Sequence, residues 1–121
     1  MTADRARDPS CLFCRIVAGE LPSTQLHADD QLIAIRDIAP QAPTHVLVLP
    51  VAHIPSALDL GEGDGPLLGR LFAVAADLAR AEGIDDAGYR LLSNVGAWGG
   101  QSVDHLHLHL LGGRPFTWPP G

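Results

Sequence analysis

Near its C-terminal end the chain reads His105-Leu106-His107-Leu108-His109-Leu110-Leu111, imidazole and isobutyl side chains in alternation. Successive side chains of an extended strand point to opposite faces, whereas a helix would spread the same residues around its circumference. The stretch therefore predicts a strand that buries its leucines and turns three imidazoles toward a site. At a rise of about 3.3 Å per residue, same-face neighbours stand about 6.6 Å apart and the outer two about 13 Å. One adjacent pair can share a metal ion; all three cannot, so at least one imidazole is left for other chemistry. The alternative is an edge strand of solvated histidines, but three like titratable groups on one face gain nothing from packing.

A chain of 121 residues, 46% hydrophobic, is long enough for one domain with its own core and too short for two. All eight basic residues are arginines and the formal net charge is −6. No basic cluster is present to displace counterions from a nucleic-acid backbone. A small phosphorylated ligand needs only a few directed donors and stays open. The start of the chain is polar, with Asp4, Arg5, Arg7 and Asp8 and no apolar signal region. No apolar run approaches the roughly 20 residues of a membrane span. These features point to a cytoplasmic protein with no nucleic-acid and no membrane partner. There, two cysteines are metal ligands or thiols rather than a structural disulfide.

Residues 1–9 read as a disordered leader ahead of a single domain over 10–121. Residues 11–19 predict a short helix, with Leu12, Phe13, Ile16 and Val17 at helical spacing, Ser10 as N-cap and Gly19 as stop. Strands are expected over 25–28, 31–36, 45–51 and 89–95, and the prolines of 37–43 mark a loop. The long helix, 64–82, takes Asp64 as cap and Pro66 in its first turn. Its apolar stripe is Leu67, Leu68, Leu71, Phe72, Ala75, Leu78 and Ala79, and Gly83 ends it. A glycine-rich loop, 96–102, feeds the histidine strand, and 112–121 is a glycine- and proline-rich tail. Strands that follow one another through short turns imply an α+β fold with an antiparallel sheet.

Gly99-Gly100-Gln101-Ser102 can direct backbone N–H groups at an anion, with the Ser102 hydroxyl as a further donor. Such donors stabilise charge that develops on phosphoryl oxygens during displacement. Imidazole is a competent nucleophile near neutrality when one ring nitrogen is free and the other donates to a fixed acceptor. His107, flanked by two others, is the candidate, and His109 is placed to protonate or hydrogen-bond a phosphoryl oxygen. Cys11-Leu12-Phe13-Cys14 at a helix start can bring two thiols to one tetrahedral zinc, with His53 and His105 completing it. A redox dithiol and two buried thiols are the rival readings. His45 opens a strand and His53 follows one, positions that equally suit satisfied core histidines. Asp37 reads as a turn residue or a sugar ligand, Asn94 as a loop cap or a phosphate ligand, Trp118 as a packing anchor or an interface residue.

Together these segments resemble the histidine-triad (HIT) superfamily, whose signature of His-x-His-x-His and two hydrophobic residues is met from His105 to Leu111. The likeness runs from Leu12-Phe13-Cys14-Arg15-Ile16 to the tail. Asp37-Ile38-Ala39-Pro40-Gln41-Ala42-Pro43-Thr44-His45, Gly99-Gly100-Gln101-Ser102-Val103 and Leu111-Gly112-Gly113-Arg114 with Trp118-Pro119-Pro120-Gly121 are similar to the Hint branch, the purine nucleoside phosphoramidases. The nucleotidyltransferase branch carries glutamine at the third triad position, where this chain has His109. The resemblance therefore implies hydrolysis rather than transfer.

It implies a five-stranded antiparallel sheet with two helices. It also implies a homodimer whose sheets join into ten strands, with the long helix at the interface. His107 would attack the α-phosphorus of a purine nucleotide substrate to form a nucleotidyl-histidine, which water hydrolyses to a nucleoside monophosphate. Ser102 would assist departure of the amine, and His45 joins the catalytic group. Asn94, Gly100, Gln101, Ser102, His107 and His109 match phosphate contacts, Asp37 the ribose ligand, and Phe13, Ile16 and Ile38 the purine slot. Trp118 matches a tail residue that approaches the partner subunit's site and shapes leaving-group preference. Cys11, Cys14, His53 and His105 match a structural zinc site, and no organic cofactor is implied. Two positions depart from the branch. Arg36 replaces the usual histidine before Asp37 and is expected to alter base or ribose contacts, and Asp104 stands where an aromatic residue is usual. The rival functions are hydrolysis of dinucleoside polyphosphates and a nucleotide-binding scaffold with little turnover.

Overall fold

Alternation along the strands determines how the layers stack. In a computed structural model of the chain, which describes residues 5–121, five strands pair antiparallel: β1 (Gln25–Ala28), β2 (Leu32–Arg36), β3 (Thr44–Pro50), β4 (Arg90–Leu92) and β5 (Leu108–Gly112). Their order across the sheet is β1-β2-β3-β5-β4. Helix α1 (Leu12–Val17) covers one face and helix α2 (Gly65–Ala81) the other. This is the α+β architecture expected.

Odd and even positions of the central strands serve two separate cores. Leu32, Ala34, Val46, Val48, Leu108 and Leu110 pack with Leu71, Val74, Ala75 and Ala79 of α2. Ile33, Ile35, Leu47 and Leu49 pack with Phe13, Cys14 and Ile16 of α1. Strand β3 is buried along its whole length, which is why it reads as a near-continuous apolar run rather than an alternating one. The alanines of α2 let the helix lie close to the sheet; Phe72, expected in its stripe, is half-exposed.

Several boundaries differ from expectation, each for a local reason. Cys11, not Ser10, caps α1, its Sγ accepting the Cys14 N–H at 3.4 Å, while Ser10 bonds to Asp8. Asp64 precedes α2 as expected, but its carboxylate accepts the Gly61 N–H and pairs with Arg5 instead of capping the helix. The strand expected over 89–95 is only three residues long, and β5 starts at Leu108 rather than His105. Before it, the Leu106 N–H bonds to the Ile54 carbonyl outside the sheet and the His105 N–H to Val103.

The expectation of a disordered leader lies, for residues 1–4, outside the described residues. Residues 5–9 are held. Arg5 binds Asp64, its carbonyl accepts the His53 N–H at 3.0 Å, and the Asp8 carbonyl accepts the Cys11 N–H at 3.0 Å. Among the described residues no helix is long and apolar enough to cross a membrane.

Leu110 is fully buried between β3, β4 and α2. Leu110→Ala removes three carbons from this core and is expected to lower the unfolding free energy by about 2–5 kcal/mol. Denaturant unfolding followed by circular dichroism reads the loss.

Candidate active site and metal cluster

The three triad imidazoles all lie on the α1 face of the sheet, and their leucine neighbours face α2. Each ring then meets different backbone groups. His105 is fully buried, and its Nε2 donates to the Pro50 carbonyl at 2.8 Å. That fixes the proton and leaves the Nδ1 lone pair facing Cys11 Sγ at 3.4 Å and Cys14 Sγ at 3.6 Å. His53 Nδ1 stands 3.3 Å from Cys14 Sγ. The four donor atoms lie within 4.8 Å of one another. Tetrahedral zinc with bonds of about 2.3 Å to sulfur and about 2.05 Å to nitrogen sets such neighbours about 3.6 Å apart, so the donor set fits that ion. Cys14 Sγ accepts the Asp8 N–H and Cys11 Sγ the Cys14 N–H, each at 3.4 Å, contacts that favour thiolate. Burial pushes the Cys14 thiol the other way, above its ordinary pKa. A cation between the two sulfurs would offset that cost. All four positions of such a site are filled by side chains, which makes it a tie between α1, the segment after β3 and the triad.

His107 is 4% exposed and stands edge-on to Phe13 of α1. Its Nδ1–H donates to the His105 carbonyl at 2.6 Å. Nε2 is left without a hydrogen-bond partner among the described residues. Burial holds the ring's pKa below the ordinary histidine value, opposed by the hydrogen bond to the His105 carbonyl and then by the Asp37 charge. A neutral imidazole with its free lone pair on Nε2 is the nucleophilic tautomer.

A third set is linked end to end. The Gln41 N–H donates to His45 Nδ1 at 3.0 Å, and His45 Nε2 lies 2.9 Å from His109 Nδ1. A backbone N–H can only donate, so the His45 proton sits on Nε2 and is shared with His109 Nδ1. The proton of His109 is thereby assigned to its own Nε2. Asp37 Oδ2 lies 3.4 Å from His45 Nε2. These three side chains also cluster as a cation site would. The proton on His45 Nε2 excludes coordination there, and the set is a hydrogen-bonded relay. Burial, with His107 and His45 as neighbours, holds His109 neutral down to about pH 4.

Phe13, Ile16, Asp37, Ile38, Ser102, His107 and His109 line one cleft of about 370 Å³. Leu12, Leu21, Pro22, Ile35, Arg36, Leu47 and Val103 complete its walls. Ile38 is 99% exposed and forms a rim rather than a closed slot. Ser102 is exposed and makes no hydrogen bond among the described residues.

Asn94, Gly100 and Gln101 are not in that lining. The Gly100 and Gln101 amides, expected as anion donors, are committed to the Ala97 and Gly96 carbonyls. Asn94 Nδ2 holds the Gly99 carbonyl at 2.6 Å, and the Gln101 carboxamide bridges the Gly96 N–H and the Pro55 and Val103 carbonyls. Together they brace a rigid loop with Trp98 fully exposed near its tip. Glycine is required at 99, where a Cβ would fall 2.2 Å from the Val95 carbonyl oxygen.

Arg36, expected to alter base or ribose contacts, sends its guanidinium to Glu82 at the end of α2, at 2.6 and 3.1 Å. Asp104 is exposed beside the cysteine–histidine cluster. Trp118 is 84% exposed and does not line the cleft. Gln41 is the functional group that sequence reasoning missed, because a backbone amide in a proline-rich loop carries no residue signature.

Comparison with known proteins agrees with this geometry. The HIT domain family model matches residues 18–116. A purine nucleoside phosphoramidase of Escherichia coli (strain K12) is 48% identical over 104 residues, covering 86% of this chain and 87% of that protein. A Zea mays protein named 14 kDa zinc-binding protein is 44% identical over 119 residues, covering 97% of this chain and 92% of that one. The crystal structure of a HIT family hydrolase from Legionella pneumophila Philadelphia 1 superposes with a TM-score of 0.91 at 52% identity, over 93% of this chain and 100% of that chain.

His109 is neutral in both folded and unfolded chain above about pH 6.5, and its folded value is depressed to about 4. The stability this burial contributes is therefore complete above about pH 6.5 and lost as pH falls toward 4. The thermal midpoint is expected to drop across that window, and to drop less steeply in His109→Asn.

Proposed function

The chain belongs to the HIT domain family, and on that premise we propose that it is a hydrolase cleaving the P–N bond of purine nucleoside 5′-phosphoramidates. The observation that carries the reading is the His107 Nδ1–H bond to the His105 carbonyl, which leaves Nε2 unengaged in a ring that lines the cleft. The relative from Escherichia coli named purine nucleoside phosphoramidase supports the choice of substrate.

The purine lies against Phe13, Ile16 and Ile38, and the ribose hydroxyls reach Asp37, whose Oδ1 is already steadied by the Ala39 N–H. His107 Nε2 attacks the α-phosphorus as the P–N bond breaks. His109 Nε2–H hydrogen-bonds a phosphoryl oxygen and offsets developing charge, while the departing nitrogen, hydrogen-bonded by the Ser102 hydroxyl, takes up a proton from water and leaves as the neutral amine; the proton is restored to solvent when water opens the adduct. Water then attacks the same phosphorus. The P–Nε2 bond breaks, a nucleoside monophosphate leaves, and His107 regains its lone pair.

Zinc in the Cys11, Cys14, His53 and His105 set supplies no step. It fixes α1 over the cleft, and the Zea mays relative named for zinc binding supports its identity. The same reading makes the protein a cytoplasmic homodimer, with the half-exposed Phe72 of α2 at the interface and Trp118 reaching the partner subunit's site.

Quenching the enzyme during turnover of an adenosine phosphoramidate and digesting it is expected to yield a nucleotide adduct on His107 by mass spectrometry. His107→Ala should lose turnover by about a thousandfold or more. Retained turnover without an adduct would sink the covalent route, and preference for diadenosine polyphosphates would move the substrate. The depressed His107 value places the acid limb of kcat/KM below pH 6.5. Metal analysis is expected to find one zinc per chain, lost with a lower thermal midpoint in Cys14→Ser.

A further inference from the structure

The relay behind His109 does not end at His45. The Gln41 N–H donates to His45 Nδ1, while the Gln41 carbonyl accepts from Arg114 Nη2 at 3.1 Å. Arg114 follows Gly113, whose φ of +90° turns the chain out of β5, and a Cβ at Gly113 would fall 2.7 Å from the Pro43 Cβ. The start of the tail is thus pressed onto the 37–43 loop. The Arg114 guanidinium is itself fixed, 4.3 Å over the Phe116 ring and with Nη1 on the Pro115 carbonyl at 3.1 Å. Among the described residues it pairs with no carboxylate, so its polar contacts are carbonyls, one of them Gln41's.

We propose that Arg114 is a positioning residue for catalysis: by clamping Gln41 it sets the tautomer of His45 and, through His45, keeps the His109 proton on the nitrogen that meets the phosphoryl group. The inference rests on the phosphoramidase reading for its consequence but not for its geometry. A neutral imidazole has one proton and two nitrogens, and its partners decide which nitrogen holds it. With the Gln41 N–H in place, His45 Nδ1 must accept, Nε2–H donates to His109 Nδ1, and His109 Nε2–H is the donor left for substrate. If Gln41 drifts, the opposite tautomer of His45 becomes accessible. His109 would then donate backwards, and its Nε2 would present a lone pair to an anionic phosphoryl oxygen.

Of the other charged groups nearby, only Asp37 approaches this pair, and it favours the same Nε2 proton on His45. Asp37 Oδ2 stands 3.4 Å from His45 Nε2 and favours the charged form of both rings, and the His107 ring lies 4.9 Å from that of His109. From β4, Arg90 is tied to the Thr117 carbonyl, and from β2 the Arg36 charge is paired with Glu82. On α1 the nearest ring is Phe13, against His107.

The sign of the effect follows. Loosening Gln41 frees His45 Nδ1 to take a proton, so the pair charges at higher pH and the acid limb of kcat moves up. The test combines Arg114→Met, which keeps an unbranched side chain without donors, and Arg114→Lys, which keeps a cationic donor. Long-range 1H–15N NMR of the imidazoles in the full chain is expected to show Nε2 protonated in both His45 and His109 of the wild type. Arg114→Met is expected to show mixed tautomers and earlier protonation, with kcat down about tenfold, KM little changed and the acid limb raised. Arg114→Lys should recover much of each.

A wild-type His45 protonated on Nδ1 overturns the proposal. So does an Arg114→Met variant with unchanged tautomers and limb, or one that loses activity equally at every pH along with thermal stability. Should Arg114→Met not fold, the wild-type spectra and Arg114→Lys still decide. If the wild type turns over no phosphoramidate, the function assigned above fails while the NMR readout stands on its own.

Discussion

Imidazole rings packed between a sheet and a helix meet little water, so each ring nitrogen that does not open on the cleft must be matched by a protein group or pay the cost of desolvation. Everything at this site follows from that obligation. Among the described residues no buried side-chain nitrogen or oxygen lacks a partner. The partners that fix the rings are backbone groups: the Pro50 carbonyl for His105, the His105 carbonyl for His107 and the Gln41 N–H for His45. Backbone groups cannot exchange donor for acceptor. They therefore give three chemically identical side chains on one face three different roles, as metal-facing lone pair, free lone pair and outward proton.

The Cys11, Cys14, His53 and His105 cluster and the His107 ring are linked through one residue without sharing an atom. His105 turns its Nδ1 to the cysteines while its own carbonyl receives the His107 proton. An ion held by the cluster would stiffen the peptide that orients the His107 ring. The same cluster anchors α1, which has only six residues and carries Phe13 against His107. A helix that short has little stability of its own, so the packing of Cys11 and Cys14 against His53 and His105 at its first turn helps keep a wall of the cleft in place.

Much of this was readable because it rests on periodicity and residue type. The two-residue repeat of 105–111 placed leucines and histidines on opposite faces, and Cys11 and Cys14 one helical turn apart converge with His53 and His105. Asp37, Phe13, Ile16 and Ile38, far apart in sequence, do meet Ser102, His107 and His109 at one cleft. What escaped depends on main-chain direction. No side chain announces that the Gly100 and Gln101 amides turn inward to close a loop, that Gln41 sets a tautomer, or that β5 begins three residues late because Leu106 bonds to Ile54. The charge of Arg36 escaped for a related reason: at the end of a strand, the face a residue points to decides its partner, and here that face carries Glu82.

Trp98 at the tip of the braced loop is 106% exposed and Trp118 in the tail 84%, and the chain has no other tryptophan. On the single subunit both indoles face solvent. Their emission there is expected to be that of a hydrated fluorophore and to change little when the core opens. It responds strongly to whatever docks beside the glycine loop or the tail, so intrinsic fluorescence in this protein reports encounters at its surface and is nearly silent about its interior.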